Sequence, residues 1–571
     1  MARVAVIAPE PDTAQAVTDR LRNCSFVECC EITKHVNGAD SLASRGRAGL
    51  SGLNGVDTVV YFPSWLADRR LMPDLAKARA VFDQCARAGI KKLILLSSGA
   101  AYGASPHNPG FVSESYSVLR DGRNLIASEW RELEALARQC LALKSNVEVT
   151  ILRPASVLSH VRADYLSQLL RGRVAITLPG HDPPLQLLHP GDVVNAICCA
   201  IQKAEGGVFN VAPDGVIPLN VALRWAGSKR IPVPRILQRI GRLGLSRVGL
   251  AHPVDQLEYV RYSWTVSNKK SKRELGFKPR FSSAEALREF VRERSEAPVE
   301  LGNGSKLDFD DFGLDKDYIA AYGRTLFNFL YRYYWRIEMR GADHIPRSGR
   351  AVLVGIHRGF MPFDGVMALH GIVRTTGRFP RFLIHPTLIK FPFQFNFMTK
   401  LGGIIACQEN ADYVLQRDEL LGVFPEGIQG AFTLYRDAYR VGDLVRDDFV
   451  RMALRNHSPI VPFVTVGSAE IFPILKRIKW RWWKRYTEWP FFPLTLTFPL
   501  LPLPLPSKWH TQFLPVLHVE SQYPPEAASD ATTVHAISQT VRSQMQAAID
   551  GMLRRRKSIF FGSLFEAEVT S

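Results

Sequence analysis

At 571 residues the chain is too long for one ordinary core, which excludes a single small domain and favours two. A composition of 46% hydrophobic and 22% charged residues excludes a disordered chain, and a formal net charge of +18 favours an anionic partner such as nucleic acid, a phospholipid surface or an acidic cofactor. Seven of the eight cysteines lie within the first 200 residues without zinc-like spacing. Pairs such as Cys29-Cys30 and Cys198-Cys199 stand in apolar runs and read as small buried hydrophobes of a reducing compartment.

The opening stretch, MARVAVIAPE, is too short and too soon interrupted to be a signal peptide, so the expected location is cytoplasmic. From there short β-branched runs alternate with amphipathic ones. Arg3 to Ala8, Asp57 to Phe62, Lys91 to Ser98 and Val147 to Pro154 predict strands, and Pro73 to Gly89 predicts a helix before the third. Strands separated by helices imply crossover connections, hence a doubly wound α/β domain with a parallel sheet over 1–294. Residues 295–316 are acidic, contain glycine and follow neither period, which predicts a linker.

A second alternating region, 317–571, closes on a helical stripe of Val534, Ile537, Val541, Met545, Ala548 and Met552, best explained as a core-facing surface. Within it His357-Arg-Gly-Phe-Met-Pro-Phe-Asp364 follows the apolar run Ala351 to Ile356, and Phe424-Pro-Glu-Gly427 follows Leu420 to Val423. Loops after strands are where an α/β fold places its chemistry, and an imidazole near a carboxylate can accept a proton. Taken singly, His357 reads as a structural histidine and Asp364 as a helix cap; together they favour catalysis.

Several blocks in the first domain resemble extended short-chain dehydrogenase/reductases of the epimerase/dehydratase type. They are Gly55 to Val60, Ser97 to Gly103, Leu152 to Val157, His189 to Val193, Gly207 to Val211 and Glu274 to Pro279. The resemblance implies a Rossmann-like domain and an NAD(P) cofactor, and it covers nearly the whole domain. The chain departs from the family at two places. The glycine positions of the phosphate turn hold Ala8, Pro11 and Ala14, with Glu10 and Asp12 beside them, which disfavours NAD(P) in the usual pose. The family's tyrosine and lysine fall on Leu125 and Glu129, leaving no acid or base for hydride transfer, and neither Tyr102 nor Tyr116 brings a suitably spaced lysine. The expected domain is a degenerate one.

In the second region Gly341 to Pro346, His357 to Asp364, Gly402 to Ile404, Phe424 to Gly427 and Pro459 to Pro462 resemble, in order, the blocks of the glycerolipid acyltransferase family. That resemblance implies a separate α/β domain with a mixed sheet. It also implies transfer of an acyl group from acyl-CoA or acyl carrier protein to a lipid alcohol, with no cofactor and no metal. His357 would take the hydroxyl proton, Asp364 would orient the imidazole, and backbone N–H groups near the following helix would meet the oxyanion. Phe424, Pro425, Glu426, Gly427 and Gln408 would shape the acceptor site. The family spacing has four residues between His and Asp, whereas six stand here, Arg358 to Phe363, so a turn through Gly359 and Pro362 must absorb two. Gln408 and Gln429 stand where phosphate-accepting members carry arginine, which favours a neutral lipid alcohol or an acceptor whose phosphate is already esterified, unless Arg358, Arg417 or Arg436 substitutes; lysophosphatidate is the alternative acceptor.

Membrane contact is expected at Lys476, Arg477, Trp480, Trp482, Trp483 and Trp489, where cations and indoles interleave as they do at bilayer interfaces. The prolines of 489–506 forbid a spanning helix, and Tyr322 to Trp335 offers a further amphipathic surface. No recognition motif supports nucleic acid. The expected protein is an O-acyltransferase bound peripherally to an anionic membrane; the rivals are a regulatory scaffold and an NAD(P)-dependent oxidoreductase.

Overall fold

The computed structural model describes residues 2–9, 11–24, 27–34, 53, 55–63, 65–66, 69–116, 124–142, 147–159, 165–203, 206–233, 258–294, 310–359, 361–385, 392–442, 447–483, 489–498 and 503–565. The chain divides into two compact units, Met1–Gly313 and Leu314–Ser571. Residues 295–309, most of the expected linker, lie outside the described residues.

In the first unit six strands form one sheet: β1 (Ala2–Ala8), β2 (Val27–Lys34), β3 (Thr58–Tyr61), β4 (Lys92–Leu96), β5 (Glu148–Pro154) and β6 (Gly207–Val211). Their order is β6-β5-β4-β3-β1-β2 and every pairing is parallel. Crossovers are made by helices such as α1 (Pro11–Arg22), α2 (Leu75–Ala88), α3 (Leu125–Ala137) and α4 (Pro190–Gln202). Helix α2 begins where the Asp74 carboxylate accepts the Lys77 N–H and ends at Gly89, whose φ of 69° suits a residue without Cβ. Val4, Val6, Val60, Ile94 and Leu152 point to one face of the sheet and Ala5, Ile7, Val59, Leu93 and Ile151 to the other, each face filling its own apolar cluster. Burial on both faces is why these strands read as unbroken apolar runs.

The second unit opens with α5 (Lys316–Tyr322), continued by two π-helical turns, Gly323–Phe327 and Leu330–Tyr334. Phe327, Leu330 and Trp335 turn into the core, whereas Leu326, Phe329 and Tyr333 stay exposed, so the amphipathic stretch serves two surfaces. The sheet comprises β7 (Glu338–Arg340), β8 (Ala351–Val354), β9 (Arg381–Ile384), β10 (Gly403–Ile405), β11 (Leu420–Val423), β12 (Ile460–Val466) and, beyond a two-stranded arm, β15 (His510–Phe513). Its order is β7-β15-β12-β8-β11-β9-β10, parallel throughout except where β12 meets β15, which makes it a mixed sheet. The arm is the antiparallel pair β13 (Ile474–Ile478) and β14 (Phe492–Thr495). Helices α6 (Phe363–Thr376), α7 (Pro392–Lys400), α8 (Gln408–Gln416), α9 (Gly427–Ala431), α10 (Asp448–Arg455) and α11 (Ala531–Arg555) complete the unit. On α11 the buried stripe contains Val534, Ile537, Val541, Met545 and Met552 as expected, but Ile549 takes the place assigned to Ala548, which is only half-buried. No described helix is long and apolar enough to cross a membrane.

Candidate active site

Strands β8 and β11 are parallel neighbours with Val354 opposite Val423, so the loops that follow them leave the sheet side by side at the carboxyl ends. His357 stands three residues beyond β8 and Phe424 immediately beyond β11. The loop after His357 turns at Gly359, with φ 74°, and enters α6 through Pro362, so the six intervening residues bring Asp364 back beneath the imidazole. His357 Nδ1 lies 2.7 Å from each carboxylate oxygen of Asp364. The same carboxylate accepts the backbone N–H of Arg358 and of Gly365, both at 2.8 Å.

Those four contacts decide the tautomer. A carboxylate only accepts, so the proton between it and the ring belongs to Nδ1, which in the neutral imidazole puts the lone pair on Nε2. Three donors also fix Asp364, which is buried. The Gly365 N–H is thereby spent on Asp364 and is not an oxyanion donor.

His357 and Asp364 border an apolar cavity of about 130 Å³. Val366 and Leu369 of α6, Phe382 and Ile384 of β9, Met398 of α7 and Phe424, Ile428 and Phe432 from the β11–α9 side form its walls, with Gly427 and Trp489 at the lining. Phe424 holds the ring of His357 at 5.5 Å between centroids and stacks on Phe382 at 5.8 Å. His385 and Gln394 supply the remaining polar lining; no lysine or arginine lines the cavity among the described residues. Walls of this kind suit an acyl chain, whose transfer out of water is favourable and non-directional.

Three of the expected acceptor-site residues, Glu426, Gln408 and Pro425, do not line the cavity. Glu426 is buried, but its oxygens face Arg358: Nη1 donates to Oε2 and Nη2 to Oε1 at 3.0 Å, while the Gly442 N–H donates to Oε1 at 2.8 Å. The Arg358 guanidinium is completed by the carbonyls of Ala438 at 2.6 Å, His357 at 2.8 Å and Arg440 at 2.9 Å. With Arg358 only 1% exposed, this pair is a clamp between the two loops, and neither member is offered to a ligand. Gln408 is exposed at the start of α8, where its amide donates to Asp412 at 3.5 Å, and it does not reach the cavity. Pro425 is buried behind the lining. Arg417 and Arg436 are exposed beside Glu419 and Asp437 and are not in the cavity lining either.

The expected membrane residues divide. Trp480 and Trp482 are exposed, Lys476 is exposed, Arg477 sits over the Phe491 ring at 5.5 Å, and Trp483 is half-buried. Trp489 instead packs on Phe432, with centroids 5.5 Å apart, and lines the cavity. Sequence reasoning missed the cavity's far wall, Phe382, Met398 and Ile428; Ile428 directly follows the Phe424 to Gly427 block, whereas Phe382 and Met398 offered only apolar character.

In the first unit Leu125 and Glu129, matched by resemblance with the family's tyrosine and lysine, lie on α3. Ser97 donates to Glu134 at 2.6 Å, and Arg153 grips the same carboxylate at 2.8 and 2.6 Å. Tyr102 is buried, donates to Asn210 at 2.8 Å and lies 4.6 Å beneath the Arg153 guanidinium; burial pushes its phenol above the ordinary value. Strand β1 ends at Ala8 and helix α1 begins at Pro11, two of the positions where the resemblance implies glycine. Tyr116 donates to the His107 carbonyl at 3.3 Å.

An acyltransferase family model matches residues 336–466, and the NAD dependent epimerase/dehydratase family matches residues 66–212, beginning after the β1–α1 turn. Fold and matches together define a two-domain α/β protein, an epimerase/dehydratase-type domain followed by an acyltransferase domain. The chain belongs to the same family as the uncharacterized protein Rv0502 of Mycobacterium tuberculosis, with which it is 35% identical over 260 residues, 44% of this chain and 72% of that protein. Uncharacterized protein ML2427 of Mycobacterium leprae is 34% identical over 260 residues, 44% of this chain and 70% of that one. Uncharacterized protein y4nG of Sinorhizobium fredii is 30% identical over 245 residues, 40% and 59% of the respective chains. Among solved structures, MoeE5 in complex with UDP-glucuronic acid and NAD aligns with 51% of this chain and 100% of its own at 16% identity and a TM-score of 0.39. DesIV, a dTDP-glucose 4,6-dehydratase from Streptomyces venezuelae, aligns with 51% and 96% at 15% identity and a TM-score of 0.38.

Proposed function

We propose that the second domain transfers a fatty acyl group from an acyl thioester, acyl-CoA or acyl carrier protein, to the hydroxyl of a lipid at a membrane surface. The observation that carries this reading is the Nδ1 contact of His357 with Asp364, which leaves Nε2 as base on a ring bordering an apolar cavity. Nε2 takes the hydroxyl proton as the oxygen attacks the thioester carbonyl, and Asp364 stabilises the imidazolium. Collapse of the tetrahedral intermediate expels the thiolate, which takes up a proton as the free thiol. No covalent enzyme intermediate is required.

A neutral lipid alcohol is the favoured acceptor. The described lining carries no cation, and Arg358 is committed to Glu426, so a free phosphate such as that of lysophosphatidate has no fixed partner there. Release of CoA from palmitoyl-CoA by the purified protein, with diacylglycerol or lysophosphatidate supplied in vesicles, tests both points. Release with neither acceptor overturns the reading, and a strong preference for lysophosphatidate overturns the choice of acceptor.

The first domain acts as a non-catalytic module in this reading. The buried, hydrogen-bonded Tyr102 and the Leu125 and Glu129 positions support it. Titration with NADH, followed by its fluorescence, checks for nucleotide binding, and reduction of NAD+ coupled to oxidation of a sugar-nucleotide alcohol to the ketone would contradict the non-catalytic reading.

A further inference from the structure

The arm β13–β14 carries an unusual surface for an antiparallel pair. Trp480 is 51% exposed, Trp482 57% and Leu496 66%, with Leu475 and Leu494 also turned outward. Leaving that much apolar area in water is unfavourable, and clustered exposure of this kind marks an interaction site. The segment 474–498 also holds Lys476, Arg477, Lys479, Arg481, Lys484 and Arg485 against Glu488 alone. Lys476, Lys479 and Arg481 are exposed beside the indoles. Charge complementarity therefore selects an anionic apolar partner, which is the description of an acidic bilayer surface.

The arm is also continuous with the candidate active site. Ring centroids step from Trp482 to Trp480 at 5.5 Å, to Phe492 at 5.8 Å, to Trp483 at 4.9 Å and to Trp489 at 5.7 Å. Trp489 then meets Phe432 at 5.5 Å, and both line the cavity beside His357. An unbroken file of aromatic rings thus runs from the most exposed indoles to the wall of the reaction cavity. Such a file offers a lipid chain apolar contact throughout the passage, so the chain is not stripped into water on its way in.

We propose that this arm docks on an anionic bilayer and that lipid passes from the bilayer into the cavity along its aromatic file, with Trp489 as the gating side chain at the inner end. The inference rests on the acyl-transfer reading for what enters the cavity, but the docking surface stands independently of it. Trp489 acts on entry and touches no reacting atom assigned above, which makes it a specificity-determining residue.

The test uses the full chain and vesicles of phosphatidylcholine, with or without an equal part of phosphatidylglycerol. Flotation reads binding, and quenching of tryptophan fluorescence by brominated acyl chains reads insertion. The expected result is binding to the anionic vesicles with quenching, a loss of at least about tenfold in binding for Trp480→Ala/Trp482→Ala, and unaltered binding for Trp489→Ala. With palmitoyl-CoA as donor, the double variant should lose CoA release with vesicle-borne diacylglycerol and keep it with hexanol. Trp489→Ala should raise KM for the vesicle-borne acceptor by a larger factor than KM for hexanol, which also meets the cavity wall. Vesicle binding untouched by the double variant, or equal loss of both acceptors in Trp489→Ala, overturns the proposal. Wild-type protein that binds and is quenched, yet releases no CoA with either acceptor, sinks the acyl-transfer reading and leaves the docking surface in place.

Discussion

Arg358 and Glu426 face each other as a buried, two-pronged ion pair that ties the loop carrying His357 to the loop that follows the neighbouring strand. Both groups are removed from water, so each depends on the other and on its backbone partners for compensation. Replacing Glu426 by Gln, or Arg358 by Met, strands a buried charge and should cost about 3–5 kcal/mol of unfolding free energy. The double replacement Arg358→Met/Glu426→Met should cost less than the sum of the two singles, because no isolated charge remains. Urea unfolding of the four proteins measures the coupling; strict additivity would mean that the two side chains act separately.

The imidazole and its carboxylate give a second expectation. His357→Ala should lower thioester-dependent transfer by about 10²–10⁴-fold, the usual range for a lost general base, with little change in melting temperature because the ring is partly exposed at the cavity. Asp364→Asn should also be strongly impaired, for a different reason: a carboxamide can donate as well as accept, and it no longer enforces the Nδ1–H tautomer. Steady-state rates with palmitoyl-CoA separate these from a folding defect. A fully active His357→Ala protein would remove the base from the scheme.

How much of this was legible in advance follows from sequence distance. Strands β1, β3, β4, β5, β8 and β11 were readable because burial on two faces leaves runs such as Val4 to Ala8 and Ala351 to Val354 without polar interruption. The pairing of His357 with Asp364 was readable because a single short turn joins them, and Gly359 and Pro362 announced that turn. Glu426 was misplaced because its partner lies 68 residues away, and a glutamate in a family block looks the same whether it meets substrate or arginine. The clue was Arg358 itself, an arginine directly after an apolar strand end, which can be buried only if an acid reaches it. Trp489 was grouped with its neighbours by composition, whereas the arm folds it inward onto Phe432.

Acid should destabilise the second domain in a way traceable to His370. Its ring is buried on α6 between Phe327 and Tyr331, with centroids at 5.9 and 5.4 Å, and burial, aided by Arg374, pulls its pKa from 6.5 down to about 4. The unfolded chain therefore takes up a proton below pH 6.5 that the folded chain refuses until about 4. Stability from this group is full above 6.5 and is lost progressively as the pH falls toward 4, by at most about 1.4 kcal/mol per pH unit. His370→Phe abolishes that titration and keeps an aromatic ring in place. Melting curves across the same window should show the variant gaining on the parent as the pH falls; a constant difference would place the acid sensitivity elsewhere.

The cavity wall makes the final expectation. Leu369 is buried on α6 and lines the space of about 130 Å³ beside His357. That volume is close to a cavity known to admit a benzene-sized guest, so a single larger side chain takes up a sizeable part of it. Leu369→Phe adds apolar atoms to an existing void, which should leave the melting temperature unchanged or raised instead of straining a filled core. The added atoms displace about one methylene of a bound chain, worth roughly 0.8 kcal/mol, so KM for a long-chain thioester should rise by about fourfold. A short-chain donor, which never reaches that wall, should keep its KM. Comparing palmitoyl-CoA with butyryl-CoA in parent and variant measures the difference, and an equal rise for both donors would place the acyl chain outside this cavity.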